Sequence, residues 1–350
     1  MYKQSLPLFV LAALSGYLFS IGHIPLPWTL GPLVMAMTWK TITKKPVYWP
    51  KKFRNMGMVV LGYMMGSPFT PSVAHQVLYQ LPLMLTITLI LISLCLVTGY
   101  IVGRYTGVGV ANSVIGSIPG GLSQMSIICE ETGGTDVSVV TLMQTVRVIT
   151  VVFTVPLLAL HGIADKVTAT SRLTTAIGAS EIPILAVFAV SILVLIKLAK
   201  RIHLSNLYVI VPILGTALLV LSGVHAPALP SNVIALAQIF VGIRMGIDVD
   251  FGSLTNWKTI ALSSLFSVLA VILLLLGVAF IFSHIYSMSL VTAFISMAPG
   301  GMSEMGLIAL TANADLPTVV AFQLFRLLFI LIVCVPAARW WLRKQGHMCS

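Results

Sequence analysis

Charge is scarce in this sequence. Only 8% of its 350 residues are Asp, Glu, Lys or Arg, and nine of them are acidic, where soluble domains carry about 25%. No polar stretch is long enough to fold a separate soluble domain. Metal ligands are scarce as well. The seven histidines are scattered, with no His-x3-His and no His/Cys/Glu cluster, so neither a metal site nor a metal cofactor is expected. The four cysteines, Cys95, Cys129, Cys334 and Cys349, lack pairing or ligand spacing, and three lie in apolar runs as buried thiols. A phosphate-binding loop, a dinucleotide fingerprint and a Gly-x-Ser-x-Gly elbow are all missing. An ATP-driven pump and the common enzyme classes therefore have no foothold, and the expectation is a protein that is not an enzyme and holds no cofactor.

What the sequence has instead is apolar length. Hydrophobic residues make up 58% of it. Apolar runs occupy 5–22, 26–42, 55–69, 80–103, 107–129 and 138–160, then 182–199, 205–223, 231–247, 259–283, 288–311 and 317–338. A bilayer core of roughly 30 Å needs about 20 such residues, so the composition predicts an all-α polytopic membrane protein in a lipid bilayer. The first run, behind Lys3, could imitate a signal peptide, but it lacks a small-residue cleavage pattern and reads as a span. The net charge of +11 could suggest a nucleic-acid partner. Lys and Arg instead collect in short loops, as in the cytoplasmic loops of membrane proteins, and form no continuous basic face. No nucleic acid is expected.

The two series of runs repeat one another. Ser117-Ile118-Pro119-Gly120-Gly121-Leu122-Ser123-Gln124-Met125 returns 180 residues later as Met297-Ala298-Pro299-Gly300-Gly301-Met302-Ser303-Glu304-Met305. Pro32 and Pro212 keep the same offset, as do Gly62-x-x-x-Gly66 and Gly242-x-x-x-Gly246. The offset then slips by one, so that Asp136, Gln144 and Arg147 match Asp315, Gln323 and Arg326. Landmarks at one spacing mark an internal duplication. It divides the chain into a first membrane repeat over 1–161, a linker over 162–181 and a second repeat over 182–350.

A Pro-Gly-Gly inside an apolar run removes a backbone donor and adds two poor helix formers. Broken helix at membrane depth is tolerated only where protein or a water-filled cavity covers it. If both Pro-Gly-Gly runs are re-entrant hairpins, each half crosses five times and the second half is inverted. The inverted arrangement leaves only Lys166 and Arg172 on the outer face, with Arg147, Arg244 and Arg326 within the membrane; twelve full spans segregate Lys and Arg less sharply. The positive-inside rule prefers the inverted arrangement. Both arrangements place the N- and C-termini in the cytoplasm, and Trp340 and Trp341 beside Arg339, Arg343 and Lys344 suit an interfacial helix end.

The candidate site follows from what should not be buried. Arg147 and Arg326 stand in apolar helices at a cost of at least about 2.5–3.5 kcal/mol each, so each needs a partner or a cavity. Two readings stand. One is a clamp of the repeat by an ion pair with Asp136, Asp315, Glu130 or Glu304. The other is a guanidinium fork for a substrate carboxylate or phosphonate. Gln144 and Gln323, three residues earlier, share the helix face of each arginine. The candidate substrate-binding set is therefore Pro119, Gly120, Gly121, Ser123, Gln124, Gln144 and Arg147, with Pro299, Gly300, Gly301, Ser303, Gln323 and Arg326. Glu304 replaces Gln124 in the second copy, and with Asp136 and Asp315 it is a candidate carrier of a coupling proton or sodium ion; its alternative role is a local cap. Arg244 and Asp248 are spaced for a simple i,i+4 pair, and the two Gly-x-x-x-Gly elements for close helix packing.

Taken together, Ser-x-Pro-Gly-Gly followed by Met125, then Asp136 and Met143-Gln144-x2-Arg147, with Leu30-Gly31-Pro32 in the second run, resembles the repeated core of the AbrB family of bacterial inner-membrane proteins. That family is unrelated to the soluble DNA-binding regulator of the same name. The resemblance covers nearly the whole chain and implies a bacterial cytoplasmic membrane protein built on an AbrB duplication. The family has carried the labels of ammonia monooxygenase and regulator of gene expression; the first sits badly with a chain that lacks clustered metal ligands. In loose architecture the chain is also similar to carriers with inverted five-helix repeats and paired Gly-rich re-entrant loops, such as the glutamate–sodium and citrate–sodium symporters. The expectation is a secondary transporter of a small anionic or zwitterionic solute, coupled to H+ or Na+, and compatible with a homo-oligomer. The alternative from another class is a membrane-embedded sensor that influences gene expression through a cytoplasmic partner.

Overall fold

A computed structural model gives the architecture. It describes residues 5–43, 48–120, 125, 129, 135–163, 181–202, 207–248, 257–286 and 288–346. Among the described residues there is no strand; backbone polar groups in an apolar setting are satisfied within helices. In chain order the helices are α1 (Ser5–Ile21), α2 (Pro27–Thr43), α3 (Lys51–Gly66), α4 (Pro71–Tyr79), α5 (Leu81–Tyr105), α6 (Val110–Ser117) and α7 (Val137–Leu157). They continue as α8 (Ile182–Ala199), α9 (Leu207–Leu221), α10 (Ser231–Asp248), α11 (Trp257–Ile285), α12 (Leu290–Met297), α13 (Met302–Thr311), α14 (Leu316–Phe329) and α15 (Val335–Gly346). One π-helical turn, Leu158–Ile163, continues α7, and another, Ile330–Cys334, joins α14 to α15. Six of the resulting helical stretches are long and apolar enough to cross a membrane: Leu81–Tyr105, Val137–Leu160, Ile182–Ala199, Ser231–Asp248, Trp257–Ile285 and Leu316–Leu342. The protein is thus an all-helical protein of the multi-pass membrane type. The segment 164–180, most of the expected linker, lies outside the described residues.

The chain gathers into two compact units, each drawing on both sequence halves. The first comprises Met1–Leu78, Ala164–Val249 and Gly306–Thr318. In it α2 packs on α1 and α10, while α3 packs on α9 and α10. The Gly-x-x-x-Gly elements make these crossings close. A Cβ on Gly66 of α3 would stand 2.5 Å from the Ile213 carbonyl oxygen of α9, and one on Gly62 2.8 Å from Pro212 Cβ. The second copy does the same in reverse: a Cβ on Gly246 of α10 would stand 2.3 Å from the Leu33 oxygen of α2, and one on Gly242 3.2 Å from Pro32 Cβ. Each copy's glycine helix therefore seats against the proline helix of the other copy. Leu8, Ala12, Ala36, Ile239 and Ile243 fill the core between α1, α2 and α10, with Trp49, Phe53 and Phe240 packed ring against ring at its edge. Arg244 Nη2 and Asp248 Oδ1 pair at 2.7 Å at the end of α10.

The second unit comprises Tyr79–Ile163, Asp250–Met305 and Val319–Ser350. Its long helices α5, α7 and α11 surround the two short ones, α6 and α12. Ile92, Ile115, Ile118, Met125, Val140 and Ile330 form one apolar core within it. Both short helices stop at the prolines. Ile118 and Ala298 turn extended, at φ −60°, ψ 127° and φ −57°, ψ 134°, as the residue before a proline prefers. A tight turn about each proline follows, with Gly120 N–H donating to Ile118 O at 2.7 Å and Gly300 N–H to Ala298 O at 2.8 Å.

Candidate functional site

The helix breaks expose carbonyls that α6 and α12 cannot satisfy, and the Gln-x2-Arg pairs take them. Gln144 is fully buried. Its Nε2 donates to Gly116 O and Ile118 O, both at 2.9 Å. Arg147 Nη1 donates to Ile118 O at 2.6 Å, and Nη2 to Gly120 O at 3.0 Å and to the Gln144 side-chain oxygen. The second copy repeats the pattern, with the shortest amide bond one residue earlier. Gln323 Nε2 donates to Ile295 O at 2.9 Å and Ala298 O at 3.3 Å. Arg326 Nη1 donates to Ala298 O at 2.6 Å, and Nη2 to Gly300 O at 2.7 Å and to the Gln323 side-chain oxygen. Each guanidinium sits at the carbonyl end of a short helix, where the helix dipole favours a cation.

These bonds correct one expectation. The sequence offered the arginines Asp136, Asp315, Glu130 or Glu304 as ion-pair partners; among the described residues, which do not include Glu130, both guanidiniums donate instead to backbone carbonyls and to the glutamine side chains. A rigid planar fork can bridge two carbonyls across a turn, and bonds from a charged donor are strong enough to hold a buried arginine. The two arginines instead form matching staples.

The methionine closing each motif completes the break. Met125 and Met305 are wholly buried, and a Cβ on Gly120 or Gly300 would stand 2.2 Å or 2.3 Å from the respective methyl group. Only glycine leaves room for that methionine. Glu304 is buried in the first turn of α13 and accepts from Ser303 Oγ at 2.8 Å. Its carboxylate folds back on Gly301, where a Cβ would stand 1.8 Å from Oε2, the disposition of an acidic cap at a helix start. Asp136 is exposed at the N-cap of α7, accepting from Ser138 N–H at 2.8 Å, and Asn112 Oδ1 accepts from the Asp136 N–H at 2.8 Å. Asp315, exposed just ahead of α14 in the first unit, accepts from the Thr318 hydroxyl. Gly121, Ser123, Gln124 and Glu130 lie outside the described residues.

Within the second unit the two breaks come together. A Cβ on Gly300 would stand 3.0 Å from Val151 Cγ1 of α7. Pro299 of one break and Gly116, Ser117 and Arg147 of the other line a single cavity of about 20 Å³, room for one or two water-sized groups. Thr98 of α5 and Ser264 and Ser267 of α11 also line it. These hydroxyls were not singled out from the sequence. The signal for them was available, because the matching positions of the other copy carry the apolar Val278, Met84 and Ile87. Among the described residues, no three His, Cys, Asp or Glu gather as a metal set.

Comparison with known proteins agrees with the motif. A family model described as "Transition state regulatory protein AbrB" matches residues 28–342. The chain is similar to "Uncharacterized protein YhjN" of Bacillus subtilis (strain 168), at 25% identity over 94% of this chain and 91% of that protein. It is also similar to "Putative regulator AbrB" of Escherichia coli (strain K12), at 24% identity over 95% of this chain and 94% of that protein. No solved structure matches the chain.

Proposed function

The chain belongs to the AbrB family, and on that premise we propose that it is an ion-coupled secondary transporter of a small anionic or zwitterionic solute. One observation carries this reading: two interrupted helices, each fixed by its own Gln-x2-Arg staple, meet at a hydroxyl-lined cavity inside an apolar helical unit. Carriers built from repeats bind solute where broken helices meet, because free backbone groups are affordable only around such a cavity. Two buried guanidiniums whose hydrogen bonds, among the described residues, go to carbonyl oxygens favour an anionic group in the solute. The reciprocal seating of the glycine helices and the distribution of Lys and Arg support halves of opposite orientation, with the Pro-Gly-Gly segments as re-entrant hairpins and both termini in the cytoplasm. Glu304, buried beside a break in one copy only, is the group proposed to carry the coupling H+ or Na+.

A second reading, a membrane-embedded sensor that influences gene expression, is favoured by the regulatory names of the family model and of the Escherichia coli relative. Against it, no stretch between apolar runs offers more than a short cytoplasmic surface. Counterflow in proteoliposomes separates the two. Vesicles preloaded with small carboxylates and amino acids should exchange one of them for its labelled form. A solute that stabilises the purified protein yet never exchanges favours the sensor. Cysteine labelling at Arg104–Gly107 and Glu131–Gly134 tests the hairpin: both ends should be reached from one face, and opposite faces restore twelve full spans.

A further inference from the structure

Both copies line the cavity beside Arg147, and the sequence sets its lining apart from the matching positions of the duplication. The 180-residue offset holds on both sides of α5 and α11, from the Gly-x-x-x-Gly pairs to the Pro-Gly-Gly pairs. Under it, Cys95 corresponds to Leu275, Ser117 to Met297, Ser264 to Met84 and Ser267 to Ile87. Those four counterparts are buried, so at the matching positions of the duplication bulky apolar side chains stand where the Arg147 cavity has small polar ones.

The small polar lining is also incompletely bonded. Arg147 and Ser264 are only 6% and 2% exposed, and Arg147 Nε and Ser264 Oγ have no hydrogen-bond partner among the described residues. Both residues line the cavity. Ser117 and Thr98 have already given their protons to Ser113 O at 2.7 Å and Leu94 O at 2.9 Å. The unused donors are thus a cationic N–H and a hydroxyl, and a buried donor left without an acceptor is costly. Water could accept from both, but it would leave the guanidinium charge uncompensated. A carboxylate satisfies both donors and that charge, and its pair of oxygens matches a space for one or two water-sized groups.

We propose that this cavity is a carboxylate-anchoring subsite, in which Arg147 Nε–H and Ser264 Oγ–H both donate to one carboxylate of the ligand. That the ligand is the transported solute rests on the transporter reading; the binding itself does not. The two copies then have different duties: the Arg326 side is packed for structure, and the Arg147 side keeps a spare N–H for the ligand.

Formate is the probe, being little more than a carboxylate. The melting temperature of the detergent-purified full-length protein is titrated with sodium formate, sodium chloride and sodium sulfate at matched ionic strength. A saturable rise with formate alone is expected. Ser264→Ala removes one donor to a charged group and should raise the half-saturating formate concentration about tenfold or more. Ser264→Met, which copies the Met84 side, should abolish saturation, while Gly277→Ala, built where a Cβ meets nothing within 4 Å, should leave it unchanged. If Ser264→Met does not fold, the Ser264→Ala titration decides alone. A saturable response to chloride equal to that to formate overturns the carboxylate assignment. No saturable anion response leaves a water-filled cavity and overturns the site, and an unchanged titration in Ser264→Ala puts formate elsewhere. Because no gradient is involved, formate binding without solute exchange removes only the transporter reading. Exchange without formate binding removes only the subsite.

Discussion

Gln144→Leu is the sharpest test of the staples, because it removes their bonds without changing charge and nearly keeps side-chain volume. The substitution deletes two donations to carbonyls at 2.9 Å and the acceptor for Arg147 Nη2. Two neutral bonds contribute about 0.5–1.5 kcal/mol each, and a bond from a charged donor about 1.5–3. Gln144→Leu should therefore destabilise the protein by roughly 2.5–6 kcal/mol. Ile118 O keeps its bond to Arg147, so Gly116 O bears most of the loss. Gln323→Leu should cost a comparable amount, since its bonds are the same in kind. Reversible unfolding in mixed micelles, followed by tryptophan fluorescence, measures both. A cycle with Arg147→Met should show coupling of about 1–3 kcal/mol, because the two side chains bond each other and share Ile118 O. A Gln144→Leu protein within about 0.5 kcal/mol of wild type, the range of an exposed substitution, would refute the staple.

Two further predictions concern the frame around the site. Gly66→Leu and Gly246→Leu place side chains against helix backbone at 2.5 Å and 2.3 Å; each should cost at least about 1–3 kcal/mol of overpacking in the same unfolding assay, while Gly277→Leu, in open space, should cost little. Asp136→Ala removes the N-cap of α7 and should lower stability by about 1 kcal/mol, while leaving the ion dependence of any uptake unchanged; lost ion dependence would return Asp136 to the coupling site.

Much of this architecture was legible because periodicity and length are local properties. The apolar run 182–199 is α8, and 231–247 ends one residue short of α10. The Gly-x-x-x-Gly pairs announced close packing, and the Arg244 and Asp248 spacing announced its pair. What could not be read was the arginines' partner. A search for opposite charge points to carboxylates, whereas the carbonyls of residues 118, 120, 298 and 300 have no side-chain signature. Their only trace is the Pro-Gly-Gly that frees them, upstream of each arginine. The cavity was hidden for a different reason. It arises from differences between the copies at Ser264 and Ser267, while the duplication draws attention to what the copies share.

The central claim is transport, and concentrative uptake tests it most directly. Proteoliposomes containing the wild-type protein, given an inward proton or sodium gradient, should accumulate a labelled small carboxylate or amino acid above its outside concentration. Glu304→Gln keeps the size of the side chain that accepts from Ser303 and recreates the Gln124 pattern, so it should still exchange solute but fail to concentrate it. Concentrative uptake undiminished in Glu304→Gln would leave that carboxylate as a cap of α13. Absence of uptake by the wild-type protein under either gradient, across solutes that measurably bind it, would contradict the account.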